Sequence, residues 1–316
     1  MENSIEKNAS TKLEFEILVD ESFVNFVSDK KLSPVENKKV LSLINDFEDG
    51  SWRFQKFENF IWDNITETAL SFKERNSLVN RNHSSLTEAA KNLRLTDKDG
   101  DIGKGSELAE IVLYGIMKHH YGALPVVPKI FYKQNSRDNA KGADSVHVVI
   151  ENGNDFSIWF GEAKFYDSIE NNRLGPIVQS VEAALEKMKL KKENSIITSV
   201  SDLDDLVKNP EMNKNIRELL SPKESVDNLK PKLNIPILLL HECELTKNCN
   251  TLTEDYKQKI ITHHKERVEA YFKKQIEMIS SIHKYSEIKF HVILFPVPSK
   301  DKIVEKFVST VGFYKN

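Results

Sequence analysis

Asp144, Glu162 and Lys164 are the residues of this chain whose types and spacing suit shared chemistry. They fall on two apolar stretches, Ala143–Ile150 and Phe156–Phe165, joined by Asn152-Gly153-Asn154, a hairpin signal. A three-residue loop, with glycine in the left-handed position, pairs residues whose numbers sum to 306. Asp144 then lies opposite Glu162. Val146 with Phe160, Val148 with Ile158 and Ile150 with Phe156 share the same face. A two-residue loop would shift the register by one and put the carboxylates on opposite faces.

Two adjacent carboxylates at the end of an apolar face repel each other and need a cation or a proton. Oxygen ligands suit Mg²⁺, or Mn²⁺ in its place. Lys164 follows Glu162 by two residues and so projects from the same face. A cation there orients or activates water and balances charge on a phosphorane-like transition state. That chemistry is metal-assisted phosphodiester hydrolysis, with Asp144, Glu162 and the Ala163 carbonyl on the metal. The plainer reading is a strand-ending Asp144 and an exposed Glu162–Lys164 pair. The tripeptide E-x-K alone decides nothing, since it recurs at Glu36-Asn37-Lys38 and Glu287-Ile288-Lys289. The latter precedes a strand, but Ile235–Cys243 before it contains no Asp.

The order of elements gives the triad its setting. Periodicity predicts a helix over Ser106–Tyr121 and a strand over Leu124–Tyr132. After the hairpin come a helix over Leu174–Lys192 and an acidic, irregular stretch at 200–229. A buried strand follows at Asn234–His241, then a long helix or helix pair at Glu254–Tyr285. A strand at Ile288–Pro296 and a helix at Lys300–Ser309 close the chain. Before residue 96, Leu13–Val19 reads as a strand. Val35–Phe47, Phe54–Ile65, Glu67–Val79 and Leu86–Leu95 read as short helices. The expected fold is α/β, a mixed sheet flanked by helices. Residues 1–95 form a mostly helical extension that packs on, or binds a partner for, the site-bearing domain at 96–316.

Composition excludes several classes. The apolar stretches, Ile235–Leu240 among them, fall far short of a membrane-spanning helix. The N-terminus has no apolar signal-like stretch, and Cys243 and Cys249 cannot make a disulfide framework, so a reducing cytoplasmic setting is expected. Asp97-x-Asp99-x-Asp101 fails as a calcium loop, because Ile102 and Leu108 stand where Gly and Glu belong. No phosphate-binding loop of the G-x-x-x-x-G-K-[ST] type occurs, so no nucleotide motor is expected. The net charge of −3, from 45 basic and 48 acidic residues, hides polarity: residues 250–316 carry 12 basic and 8 acidic side chains. Only eight residues are Arg, which favours backbone contact over base reading if nucleic acid is bound.

The helix–strand–hairpin–helix–strand order with Asp144, Glu162 and Lys164 resembles the PD-(D/E)xK nuclease superfamily, of restriction-endonuclease-like fold. Ala143 stands where that motif has proline. More closely, Lys141–Asp144, Trp159–Tyr166 and Asn234–Leu239 resemble the HamA family, nuclease subunits of the Hachiman anti-phage system. The resemblance covers about residues 96–300. It implies a DNA nuclease working with a HamB-like helicase subunit. It also implies a further acid on the preceding helix. Glu107 and Glu110 are not separated by periodicity, and the resemblance selects Glu110. Lys141 and Gln179 are candidate nucleic-acid contacts. The alternative is a catalytically silent module of the same fold that binds DNA or a helicase and regulates it.

Overall fold

The computed structural model describes residues 12–95, 106–132, 142–151 and 155–316. The chain begins with β1 (Glu16–Ser22) and β2 (Lys38–Ile44), then a small hairpin of β3 (Phe47–Glu48) and β4 (Ser51–Trp52). Helices α1 (Phe54–Ala69), α2 (Phe72–Ser77), α3 (Asn82–Lys91) and α4 (Ser106–Tyr121) follow. Next come β5 (Leu124–Val127), α5 (Lys129–Tyr132), β6 (Ser145–Ile150) and β7 (Phe156–Tyr166). Helices α6 (Asn171–Ala184), α7 (Lys187–Ser199), α8 (Asp202–Leu206), α9 (Pro210–Leu219) and α10 (Val226–Leu229) lead to β8 (Leu233–Glu242). The chain ends with α11 (Glu244–Lys247), α12 (Glu254–Ile279), β9 (Lys289–Val297) and α13 (Lys300–Lys315).

Seven strands make one mixed sheet in the order β1-β2-β9-β8-β7-β6-β5. β2, β9, β8 and β7 run parallel to one another, while β6 and β5 continue antiparallel beyond β7. β8 and β9 are buried almost throughout and therefore read as unbroken apolar runs, as central parallel strands do. One sheet face packs against α6, α7, α9 and α12 through Ile177, Val181, Ile197, Ile216 and Tyr271. The other packs against α1, α3, α4 and α13 through Phe60, Ala89, Leu113 and Phe307.

Several expectations are corrected. Val35–Phe47 is not a helix: Lys38–Ile44 is a strand paired to both β1 and β9. Val40 enters one core while Leu41 and Leu43 enter the other, and a strand buried on both faces loses the alternation that marks it. Residues 16–44 thus supply two strands of the main sheet. The strand expected over Leu124–Tyr132 stops at Val127, and Pro128 leads into a helical turn. The helix expected over Leu174–Lys192 is two, broken at Leu185–Glu186. The stretch at 200–229 is helical, not irregular. Asn209 and Ser225 cap α9 and α10, and Met212 and Ile216 give α9 a buried stripe beneath charged faces.

Candidate active site

β6 and β7 pair from Ser145↔Gly161 to Ile150↔Phe156, which is the expected register. The turn itself lies outside the described residues. At the far end the Asp144 N–H still donates to the Gly161 carbonyl at 2.8 Å, but β6 then stops while β7 continues to Tyr166. The even-numbered residues Ile158, Phe160 and Tyr166 join the core under α6 and α12. Glu162 and Lys164 share that face by alternation. The odd-numbered Trp159, Ala163 and Phe165 join the core under α4.

Gly161 is fixed by packing. A Cβ there would lie 2.2 Å from Ser145 Oγ, 2.8 Å from Leu113 Cδ2 and 3.3 Å from Pro236 Cγ. Pro236 has no N–H to give, and the β7–β8 ladder is interrupted between Trp159↔Asn234 and Glu162↔Ile237. Gly161→Ala is expected to cost about 1–3 kcal/mol through overpacking. A thermal melt checks it, and an unchanged midpoint would contradict the packing argument.

The carboxylates meet at one cation. Lys164 Nζ contacts Glu162 Oε1 directly and lies 3.7 Å from Asp144 Oδ2. The Ala163 N–H donates to Asp144 Oδ2 at 3.1 Å. Ser180, on α6, donates its hydroxyl to Glu162 Oε1. Burial pushes the Glu162 carboxyl above its usual range, Asp144's charge adds to the push, and Lys164 and Ser180 oppose it. For Lys164, burial favours the neutral amine, but Asp144 and Glu162 outweigh it and hold the ammonium above its ordinary value. Glu162 is only 6% exposed. A buried carboxyl whose charge is disfavoured by its own neighbour is a poor structural element and a good ligand for a cation.

The donor set fits a hard divalent ion. A strand residue's N–H and C=O point to the same side. Ala163's N–H points at Asp144, so its carbonyl also faces that edge, past the last pair of β6. Two carboxylates and a main-chain carbonyl are oxygen ligands of the kind Mg²⁺ takes, leaving positions for water. Among the described residues no three His, Cys, Asp or Glu side chains converge as a metal cage. Asp144 and Glu162 are the two acids that Lys164 joins here.

The other sequence candidates are distributed differently. Glu110 is buried on α4, where its charge acts on the hydroxyl of Tyr114, whose ring packs on His147 of β6. Glu107 accepts from the Arg94 and Leu95 amides at 3.0 and 2.9 Å. Gln179 is exposed on α6, while its neighbour Ser180 turns to the site. Lys141 lies outside the described residues. His119 meets Asn64 at 3.1 Å and His120 meets Asp20 at 3.3 Å, so both have structural partners.

A family model described as HamA matches residues 21–311. The chain belongs to the HamA family. Its HamA region thus runs from β1 into α13 and takes in the β2 strand and α1–α3, well before the residues that carried the resemblance in sequence. Membership makes this HamA chain a protein of Hachiman defence. No curated protein matches it.

Three site-related residues escaped sequence reasoning: Ser180, Lys129 and Glu193. Ser180's only signal was its place on the helix after the E-x-K strand, where Gln179 had the stronger polar claim. Lys129 and Glu193 form an ion pair at 2.9 Å between residues 64 apart, behind Asp144, and nothing local marks it.

Proposed function

We propose that this chain is a metal-dependent deoxyribonuclease of PD-(D/E)xK type, the effector of its defence system, working with a helicase subunit. The observation that carries this reading is the convergence of Asp144, Glu162 and Lys164 where β6 ends and β7 continues. Asp144, Glu162 and the Ala163 carbonyl would hold Mg²⁺ or Mn²⁺. When bound, the ion supplies Lewis-acid polarisation of a phosphoryl oxygen and a more acidic water. Lys164 holds its proton between the two acids, so it serves as a donor and positive charge toward the attacking water or a phosphoryl oxygen. Ser180 fixes the Glu162 carboxylate by donating to Oε1. The side chain of Trp159 and the α4 layer seal the reverse face from water.

Arg173 on α6 is suited to a phosphate flanking the cleaved bond. Its Cζ lies 5.7 Å from the ring centre of Tyr166, the next residue on the site face after Lys164. It makes no ion pair with any described residue, whereas Arg53, Arg75, Arg217 and Arg267 all face carboxylates. Arg173→Ala is expected to raise KM for DNA by about tenfold with little change in kcat, the pattern of lost uniform binding. An unchanged KM would remove Arg173 from the substrate path.

The test of the function is direct. The purified chain, alone and with the helicase subunit from its native host, is incubated with DNA and RNA in Mg²⁺, Mn²⁺ or chelator. Cleavage of DNA that chelator abolishes is expected, with the helicase subunit restraining it until infection. Cleavage indifferent to chelator, or confined to RNA, would overturn the assignment. The same cleavage with and without the helicase would remove the restraint.

A further inference from the structure

A buried ion pair stands directly behind Asp144. Lys129, at the start of α5, is fully buried, and Glu193, on α7, is 3% exposed. Lys129 Nζ donates to Glu193 Oε1 and Oε2 at 3.0 and 2.9 Å. Glu193 Oε1 also accepts the N–H of Ala143 at 3.2 Å, one residue before Asp144. The backbone runs so close that a Cβ on Gly142 would come 1.6 Å from Glu193 Oε1. The Lys129 end is tied as well: its N–H donates to the Tyr114 hydroxyl at 3.2 Å, and that hydroxyl donates to the Val127 carbonyl at 2.5 Å.

A pair removed from water this completely gives little net stability, because desolvation offsets most of its attraction. Simple stability therefore explains poorly why charge is placed here. Geometry explains it better. β6 begins only at Ser145, one residue after Asp144, whose carboxylate must still reach the Ala163 edge. A glycine followed by an amide held on a fixed carboxylate sets where the chain enters the strand. We infer that Glu193 is a positioning residue: with Lys129 it clamps the Gly142–Ala143 backbone and so holds Asp144 in place to bind the metal ion. The catalytic consequence rests on the nuclease reading; the clamp itself does not.

The experiment separates the two. In the metal-free full chain, amide exchange at Ala143 reads the clamp without reference to activity. Mn²⁺ titration then reads its effect on the site. Glu193→Asp keeps a charge for Lys129 but withdraws the acceptor from Ala143. The pair Lys129→Met with Glu193→Leu removes both charges and the acceptor, while Lys129→Met with Glu193→Gln restores a neutral acceptor. The first two are expected to exchange Ala143 faster and to bind Mn²⁺ about tenfold more weakly, with kcat falling and KM for DNA held. The Gln variant is expected to recover protection and affinity. If Glu193→Asp, which retains the ion pair, keeps wild-type protection and Mn²⁺ affinity, the inference is wrong. If the wild-type chain neither binds Mn²⁺ nor cleaves DNA, the nuclease reading fails. Ala143 exchange in the same variants then still decides the clamp.

Discussion

Glu162→Gln and Lys164→Ala are each expected to lower kcat for DNA cleavage by roughly 10²–10³-fold, and with it protection from phage. The two changes should part company in stability. Glu162 is buried beside Asp144, and burial and that charge both press its carboxyl toward the neutral form. A neutral amide of the same shape relieves this, so Glu162→Gln is expected to melt at or above the wild-type temperature. Functional sites often hold such groups at the expense of stability. Lys164→Ala instead removes the ammonium that contacts Glu162 and faces Asp144. It is expected to melt lower in chelator and to recover when Mg²⁺ is added. Cleavage assays and paired melts check both. Retained cleavage in either variant would remove that residue from the mechanism.

Acid should unfold this protein early. His147, His241 and His291 are buried, and burial pushes each imidazolium pKa down to about 3, from an ordinary 6.5. His264 is pushed well down in the same direction, by burial and then by its histidine neighbours. The folded state refuses protons that the unfolded state accepts, so stability present above pH ~6.5 is lost as pH falls toward 3. Each histidine contributes a slope of about 1.4 kcal/mol per pH unit across that window. Three together approach about 4 kcal/mol per unit, large against a typical 5–15 kcal/mol total.

The contacts show why these rings stay neutral. His147 lies against the Tyr114 ring, with centroids 4.5 Å apart, and neither ring nitrogen has a hydrogen-bond partner among the described residues. His241 Nδ1 faces the Glu242 carbonyl at 3.1 Å, which can only accept, so that nitrogen carries the proton. His241 Nε2 then accepts from His264 Nε2 at 3.3 Å, and His264 Nδ1 accepts from Ser42 Oγ at 2.7 Å. Denaturant titrations at pH 7.5, 6.5 and 5.5 are expected to show a falling unfolding free energy. His147→Leu should reduce the slope by one proton's worth. A flat profile would contradict the buried neutral state.

The site was legible in sequence because hairpin register is arithmetic. One glycine-bearing loop and three apolar pairs fixed Asp144 opposite the Glu162 strand, and the ladder has that register. The central strand β8 was equally plain, since a fully buried parallel strand is an unbroken apolar run. The same property hid β2, where Val40–Ile44 fits a helix and a doubly buried strand alike. Ser180 lost to Gln179 because a helix one residue out of phase exchanges the site face for solvent. The Glu193 clamp joins residues 50 apart through a backbone amide, and no local pattern marks such a contact. The HamA match from residue 21 shows that the first strands and helices belong to the family's own region.

Asp144 and Glu162 are proposed to hold a divalent ion for phosphodiester hydrolysis. The decisive measurement is calorimetric titration of the purified chain with Mg²⁺ and Mn²⁺, set beside Asp144→Ala. A binding site is expected in the wild-type chain that disappears in the variant while its fold is retained. Identical heats in the two proteins, or none in either, would contradict it.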